Sequence, residues 1–243
     1  MELESLQYLY VGFAAFLVGF TKTSVGGVGI LAVLLMALAI PGKASPGVLV
    51  PMLVAADIMA VVYYRRECQW HLLIKILPLT IAGLLCGFLF LWAVPDYNFE
   101  KLIGWIILLM LALDISLTSN IKQHLNGRIF TGVAGVLAGA SAMVANAAGP
   151  VFGIYLLQMG LKKGEFVGTR SWFFLILNAT KVPFSVSLGL ITKETLTLNA
   201  LFLPVILIGA IIGYRVLKFI NIRVFGFLIR LAVLAASARL IFS

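Results

Sequence analysis

The sequence predicts an all-α polytopic membrane protein built from two related halves. Three observations support this fold class: the composition, the lengths of the apolar segments, and a pattern that recurs in the second half of the chain. Hydrophobic residues make up 62% of the 243 residues and charged residues 11%, whereas soluble domains contain roughly 45–50% and about 25%. A soluble core of this size cannot bury so much apolar surface, so a bilayer is the expected solvent.

The charged residues also favour a membrane protein over a nucleic-acid-binding one. The net charge of +9 comes from single or paired Lys and Arg residues between apolar segments, which is typical of loops that face anionic lipid. Nucleic acid is not an expected partner, because no basic tract is interleaved with aromatic residues. Cys68 and Cys86 have neither disulfide nor metal-site spacing, so no metal and no cofactor is expected. The acidic start, Met-Glu-Leu-Glu, is unlike a signal peptide, so we expect the first helix to be retained.

Ten apolar segments follow one another along the chain. They cover residues 6–20, 28–40, 46–64, 72–94, 100–118, 129–142, 149–160, 166–189, 195–217 and 223–242. Six of them reach or nearly reach the roughly 20 residues that a spanning helix needs. The other four form two pairs of short segments, each about 12–15 residues or about 18–22 Å long. We therefore expect a broken or re-entrant short-helix pair plus three spanning helices in each half, and about 8–10 membrane segments in all.

The two halves, residues 1–120 and 121–243, are predicted to be repeats within one integrated membrane domain. A shift of 120 matches five residues around the first short pair, and a shift of 126 matches four later residues. The first set is Gly12, Ala14, Leu17, Gly19 and Gly29 on Gly132, Ala134, Leu137, Gly139 and Gly149; the second is Leu77, Pro78, Gly83 and Gly87 on Leu203, Pro204, Gly209 and Gly213. An ordered series with matching breaks indicates a duplicated unit.

The loop charges favour inverted repeats. If each short pair forms a hairpin, or each member crosses, a repeat has an odd number of crossings and the second repeat is inverted. Eight loop Lys and Arg residues then lie on one side and four on the other, whereas one interrupted helix per pair would divide them equally. Because positive residues accumulate on the cytoplasmic side, we expect inverted repeats with both termini outside the cytoplasm.

Each break is expected to place a helix N-terminus at mid-bilayer, as in transporters with discontinuous helices. Unpaired N–H groups and the positive end of the helix dipole attract anions there. Gly26, Gly27 and Gly149 would let the backbone approach a ligand closely; their alternative role is close helix packing. The polar candidates beside the breaks are Thr21, Lys22, Thr23, Ser24, Ser141 and Asn146.

Ionisable residues that the sequence places at membrane depth are further candidates, because a charge there is costly and usually functional. Lys22 is the first, although it could instead extend its amine to the interface. Arg170 suits bidentate recognition of sulfonate, sulfate or carboxylate oxygens, or it could mark the lipid interface. Lys181, beside Asn178, is a candidate of the same kind as Arg170. Asp57 could carry a coupling proton or be a hydrogen-bonded structural carboxylate, and both interpretations stay open.

The residues around the breaks also carry a family resemblance. They are Gly19-Phe20-Thr21-Lys22-Thr23-Ser24-Val25-Gly26-Gly27-Val28-Gly29 in the first half and Gly132 to Gly139, Ser141, Gly149-Pro150 and Gly168-Thr169-Arg170 in the second. Over nearly the whole chain this pattern resembles the TauE/SafE family of sulfite and organosulfur anion exporters. The resemblance implies a multi-pass protein of the bacterial inner membrane that transports sulfite, a sulfonate or a related carboxylate. The second break, residues 143–148, has fewer glycines than the family pattern leads one to expect.

Together these observations predict a secondary anion transporter that works by alternating access, with the site between the two breaks. The alternative is a passive anion channel, which would need a filter of carbonyls or charged rings. An enzyme is not expected and no catalytic residue is assigned, because no His-Glu-x-x-His, Gly-x-Ser-x-Gly or catalytic carboxylate pair occurs. The expected partners are a small anionic substrate and membrane lipid. Substrate identity, direction, coupling ion and oligomeric state, a homodimer included, do not follow from the sequence.

Overall fold

The computed structural model describes residues 4–24, 29–40, 42–94, 99–119, 127–216 and residue 234. All regular elements in these residues are helical, so the all-α prediction is confirmed. The helices are α1 (Ser5–Thr23), α2 (Gly29–Ala39), α3 (Ala44–Tyr64), α4 (Trp70–Ala93), α5 (Phe99–Ser119), α6 (Arg128–Ala145), α7 (Gly149–Gln158), α8 (Lys163–Ser187) and α9 (Lys193–Val216). A single 3-10 turn, Arg65–Glu67, follows α3. The tenth apolar segment, residues 223–242, lies almost wholly outside the described residues.

Three helical stretches in the described part of the chain are long and apolar enough to cross a membrane. They are Ala44–Glu67, Trp70–Ala93 and Lys193–Arg215. Shorter apolar helical stretches cover Gly29–Ala39, Lys101–Leu113 and Ile129–Ala145. Their lengths and composition are those of an all-α membrane protein, as the sequence predicts.

Both breaks are present, but the two helices at each break differ in length. α1 has 19 residues and α6 has 18, about 27–28 Å each, whereas α2 has 11 and α7 has 10, about 15–17 Å. The expected length of about 12–15 residues is therefore wrong for α1 and α6. Both helices continue through polar residues because hydroxyls bond back to carbonyls of the preceding turn, as Ser141 Oγ does to Leu137 O at 2.6 Å.

Two helix pairs meet through glycines. α1 packs on α9, and α6 packs on α4. A Cβ at Gly19 would lie 2.0 Å from the carbonyl oxygen of Ile206, and a Cβ at Gly139 would lie 1.9 Å from that of Thr80. The reciprocal contacts match as well: Gly209 faces Phe16, Gly213 faces Phe20, Gly83 faces Val136, and Gly87 faces Ala140. Each residue named in these α1–α9 contacts is related by the shift of 120 or 126 to the residue named in the matching α6–α4 contact. The division near residue 120 and the inversion stay predictions.

The long helices α3 and α8 pack against each other and connect the two pairs. α3 also contacts α1, α2 and α9, while α8 contacts α4, α6 and α7. The half-length helix α7 is anchored on α8, where the rings of Phe152 and Phe173 stack with their centroids 3.5 Å apart. The C-terminal ends of α1 and α6 thus meet the α3–α8 pair, and the candidate site lies there.

Candidate functional site

One face of α8 carries four chemically distinct side chains. Arg170, Phe174, Asn178 and Lys181 follow one another at intervals of four, four and three residues, the spacing that places side chains on one face of a helix. This face contacts the end of α1, the middle of α3 and the first residue after α6. α8 therefore supplies three polar side chains of the candidate site: Arg170, Asn178 and Lys181.

At the first break, Lys22 forms a buried ion pair. Its Nζ lies 2.8 Å from Asp57 Oδ1, and the two side chains are 10% and 1% exposed. Asn178 donates from Nδ2 to the other carboxylate oxygen at 2.7 Å. The amine of Lys22 also lies 4.2 Å from the centre of the Phe174 ring, in a cation–π contact. Lys22 is therefore buried and paired inside the protein. Asp57 is a hydrogen-bonded, ion-paired carboxylate, and its role as a carrier of a coupling proton stays a prediction.

The last turn of α1 is held by neighbouring helices, because its final carbonyls have no partners within the helix. Arg170 donates from Nη2 to Thr21 O at 2.9 Å. The Tyr64 hydroxyl donates to Thr23 O at 3.2 Å. Arg170 is thus directed into the protein beside the ion pair, rather than toward lipid.

The motif Gly168-Thr169-Arg170 explains how Arg170 comes close to the end of α1. A Cβ at Gly168 would lie 2.8 Å from Tyr64 O, so glycine permits α8 to approach the end of α3. The Thr169 hydroxyl accepts a hydrogen bond from the backbone N–H of Gln69 at 2.9 Å. The three residues of the motif therefore contact three different parts of the chain: the end of α3, the residue before α4, and the end of α1.

The second break is organised by Asn146, which follows α6 in the left-handed conformation with φ 51°. Asparagine tolerates this conformation better than most residues, which suits it to end a helix. Its side chain accepts a hydrogen bond from Lys181 Nζ and donates one to Pro46 O at 3.0 Å. Asn146 thus joins the end of α6 to both α3 and α8, and the long, buried Lys181 reaches this break rather than the first.

The two groups of residues form one electrostatic cluster, because Lys181 interacts with both Lys22 and Asp57, and Arg170 interacts with the same pair. Three basic side chains therefore lie around a single carboxylate. Of the carboxylates whose side chains the structure describes, Asp57 alone is fully buried. An excess of positive charge in a weakly polarisable environment attracts anions.

The other predicted ligands have different surroundings. Thr23 donates to Ala210 O at 2.7 Å, and Ser24 donates to Phe20 O at 2.5 Å. Together with Ser141, these hydroxyls bond to helix carbonyls, and their role as substrate ligands stays a prediction. Gly149 is exposed and begins α7. Gly26 and Gly27 lie outside the described residues.

Sequence reasoning missed Phe174, Tyr64 and Pro46. Phe174 had a usable signal, because it lies four residues after Arg170 and four before Asn178. The contacts of Tyr64 and of the Pro46 carbonyl come from distant parts of the chain and have no local signal.

Metal binding and thiol reactivity are two other kinds of chemistry relevant to the described residues. No group of three or more His, Cys, Asp or Glu side chains in that part of the chain could hold a metal ion. Cys68, between the 3-10 turn and α4, lies outside the spanning segments. Burial raises the pKa of its thiol to about 11, although a hydrogen bond with Thr169 opposes the shift.

Comparison with known families decides the assignment. The model of the sulfite exporter TauE/SafE family matches residues 11–240. The chain belongs to the TauE/SafE family. The match covers both breaks and all the cluster residues, and it confirms the resemblance of the sequence to this family of membrane exporters. The comparisons with curated proteins and with solved structures find no match.

Proposed function

We propose that this member of the TauE/SafE family is a secondary transporter that moves a small oxyanion across the bacterial inner membrane by alternating access. The observation that carries the proposal is the cluster of Lys22, Arg170 and Lys181 around the single carboxylate of Asp57. Buried charges at membrane depth persist where they serve transport. The surplus of cationic groups favours an anionic substrate.

Sulfite, sulfonates and related carboxylates fit the donors of this cluster. Arg170 offers a planar fork that pairs with two oxygens, and the two lysines offer compact charges. Each cation already has a protein partner: Lys22 contacts Asp57, Arg170 contacts Thr21 O, and Lys181 contacts Asn146. A substrate oxygen would replace one or more of these acceptors, so binding would loosen the end of α1 or the Asn146 bridge.

Alternating access is supported by how the helices pack. The glycine-mediated pairs α1–α9 and α4–α6 bring backbones into direct contact, which suits pairs that move as units. The cluster lies where these pairs meet α3 and α8, and its contacts cross between helices. Inverted repeats commonly alternate about a central site in this way.

The test is anion flux in proteoliposomes, preceded by a thermal-shift screen of sulfite, thiosulfate, sulfonates and small carboxylates. A bound anion stabilises the folded protein by mass action. Lys22→Gln should abolish both the shift and the flux, whereas Lys193→Gln, which changes an exposed lysine at the start of α9, should preserve them. Normal flux in the Lys22 variant would refute the site. Single-channel currents would favour the passive channel instead.

A further inference from the structure

Asp57 contacts two of the donors that the proposed substrate anion could also contact. Its carboxylate contacts Lys22 through one oxygen and Asn178 through the other, at 2.8 and 2.7 Å. A carboxylate and a sulfonate each present negatively charged oxygens to the same donors. The anion and Asp57 therefore compete for Lys22.

Among the residues that the structure describes, the charged groups around Asp57 come from two helices. Lys22 faces it from α1, and Arg170 and Lys181 interact with it from α8, where Asn178 is its neutral partner. α2, which packs on α3, has no titratable side chain. All three residues of the 3-10 turn, Arg65, Arg66 and Glu67, are exposed. The described titratable residues of α9 are also exposed and lie near its two ends: Lys193, Glu194, Tyr214 and Arg215. On α3 itself, Tyr64 bonds to Thr23 O; the described part of α6 carries Arg128 at its first position.

We propose that Asp57 is an internal competitor of the substrate and takes up a proton when the anion binds, so that one proton and one anion occupy the site together. The proposal rests on the proposed transport function. The proton comes from the aqueous phase and forms an O–H bond on the carboxyl group, while Lys22 keeps its charge and contacts the anion. Asn178 still donates to the neutral carboxyl group, which accepts such a bond in either form.

The charge balance favours this exchange. A monovalent anion restores the negative charge that protonation removes, so the net charge of the cluster is the same before and after binding. Without the proton, the anion would add a second negative charge beside the buried carboxylate, and two anions in contact repel strongly where water is excluded. The neutral carboxyl group can also donate its new O–H to an anion oxygen.

The first experiment uses the wild-type protein in detergent and methanesulfonate, whose charge stays constant between about pH 5 and pH 8. Titration calorimetry in buffers of different ionisation enthalpy measures the protons taken up per anion. We expect about one proton at the upper end of this range, with affinity rising up to about tenfold for each unit by which the pH falls. No proton uptake, together with pH-independent binding, would overturn the proposal.

The second experiment compares variants. Asp57→Asn keeps the shape and the acceptor for Lys22 but removes the charge. It should therefore bind methanesulfonate at least about tenfold more tightly at pH 8, and with a weaker pH dependence than the wild type. Glu194→Gln removes an exposed carboxylate and should retain the wild-type profile. Equal pH dependence in Asp57→Asn and the wild type would also overturn the proposal. If Asp57→Asn does not fold, the wild-type calorimetry decides.

The two proposals fail in different ways. If wild type and Asp57→Asn both bind methanesulfonate with the same affinity at every pH, proton coupling is refuted and the anion site stands. If neither binds it at any pH, the anion site itself is refuted, and the proton coupling with it.

Discussion

Replacing Gly139 with alanine should separate α6 from α4. The new Cβ would lie 1.9 Å from Thr80 O and 2.7 Å from the backbone nitrogen of Leu84, whereas ordinary contacts begin at 3.4 Å. Both obstructing atoms belong to the backbone and cannot turn aside by changing rotamer. The helices would have to move apart by about 1.5 Å along this contact.

The size of the effect follows from a matched control on the same helix. Overpacking costs about 1–3 kcal/mol where side chains can adjust, so we expect at least about 3 kcal/mol here. At Gly132 a Cβ would meet no atom within 4 Å, and alanine there should gain up to about 1 kcal/mol of helix propensity. Gly19→Ala, whose Cβ would lie 2.0 Å from Ile206 O, should resemble Gly139→Ala.

The assay is the midpoint of thermal unfolding in one detergent, together with the yield of monodisperse protein. A loss of about 3 kcal/mol corresponds to roughly 6–12 °C for a chain of this size. The reasoning is refuted if Gly139→Ala unfolds at or above the temperature of Gly132→Ala. A large difference between Gly19→Ala and Gly139→Ala would contradict the matched packing of the two pairs.

Three further changes test the site and its surroundings. Lys22→Ala leaves Asp57 buried without its cation and should destabilise the fold by about 3–5 kcal/mol. The double variant with Asp57→Asn should recover most of the melting temperature but not the anion flux. A double variant that melts no higher than Lys22→Ala would contradict the ion pair. In a Cys86→Ala background, Cys68 should be alkylated about 100-fold more slowly at pH 8 than a thiol of pKa 9.0, and its alkylation rate should increase up to about pH 11. A rate that stops increasing near pH 9 would refute the raised pKa. Asn146→Gly keeps the left-handed conformation and should be about 1–2 kcal/mol more stable than Asn146→Ala, while flux falls in both because the bridge is lost. Equal melting temperatures would contradict the role of the backbone at Asn146.

Much of the fold was predictable because its signals are local. The lengths of the apolar segments predicted the helices, and the small-residue breaks predicted that α1 and α6 are interrupted there. Both helices nevertheless continue past the apolar segments 6–20 and 129–142, to Thr23 and Ala145. The lengths of α1 and α6 were not predictable from hydropathy, because Thr23 and Ser141 continue a helix by bonding to its own carbonyls. Hydropathy counts such residues as polar, whereas their hydrogen bonds make them compatible with a buried helix.

The candidate site was predictable as a set of residues, but not as an arrangement. Asp57, Asn178 and Lys181 were each notable as polar residues in apolar segments, and Lys22 was notable as a cation in the first break. The partners they have in the structure lie 35 or more positions apart. Without the fold, Lys181 could equally have been assigned to either break.

The sequence by itself predicted a membrane environment, an all-α fold and the family, because composition, segment length and motif order are properties of the chain alone. Only the tertiary structure decided which charges meet. Since Lys22, Asp57 and Lys181 come from three different helices, their pairing depends on how α1, α3 and α8 pack. That packing places the carboxylate of Asp57 against Lys22, the residue that we propose a substrate anion also contacts.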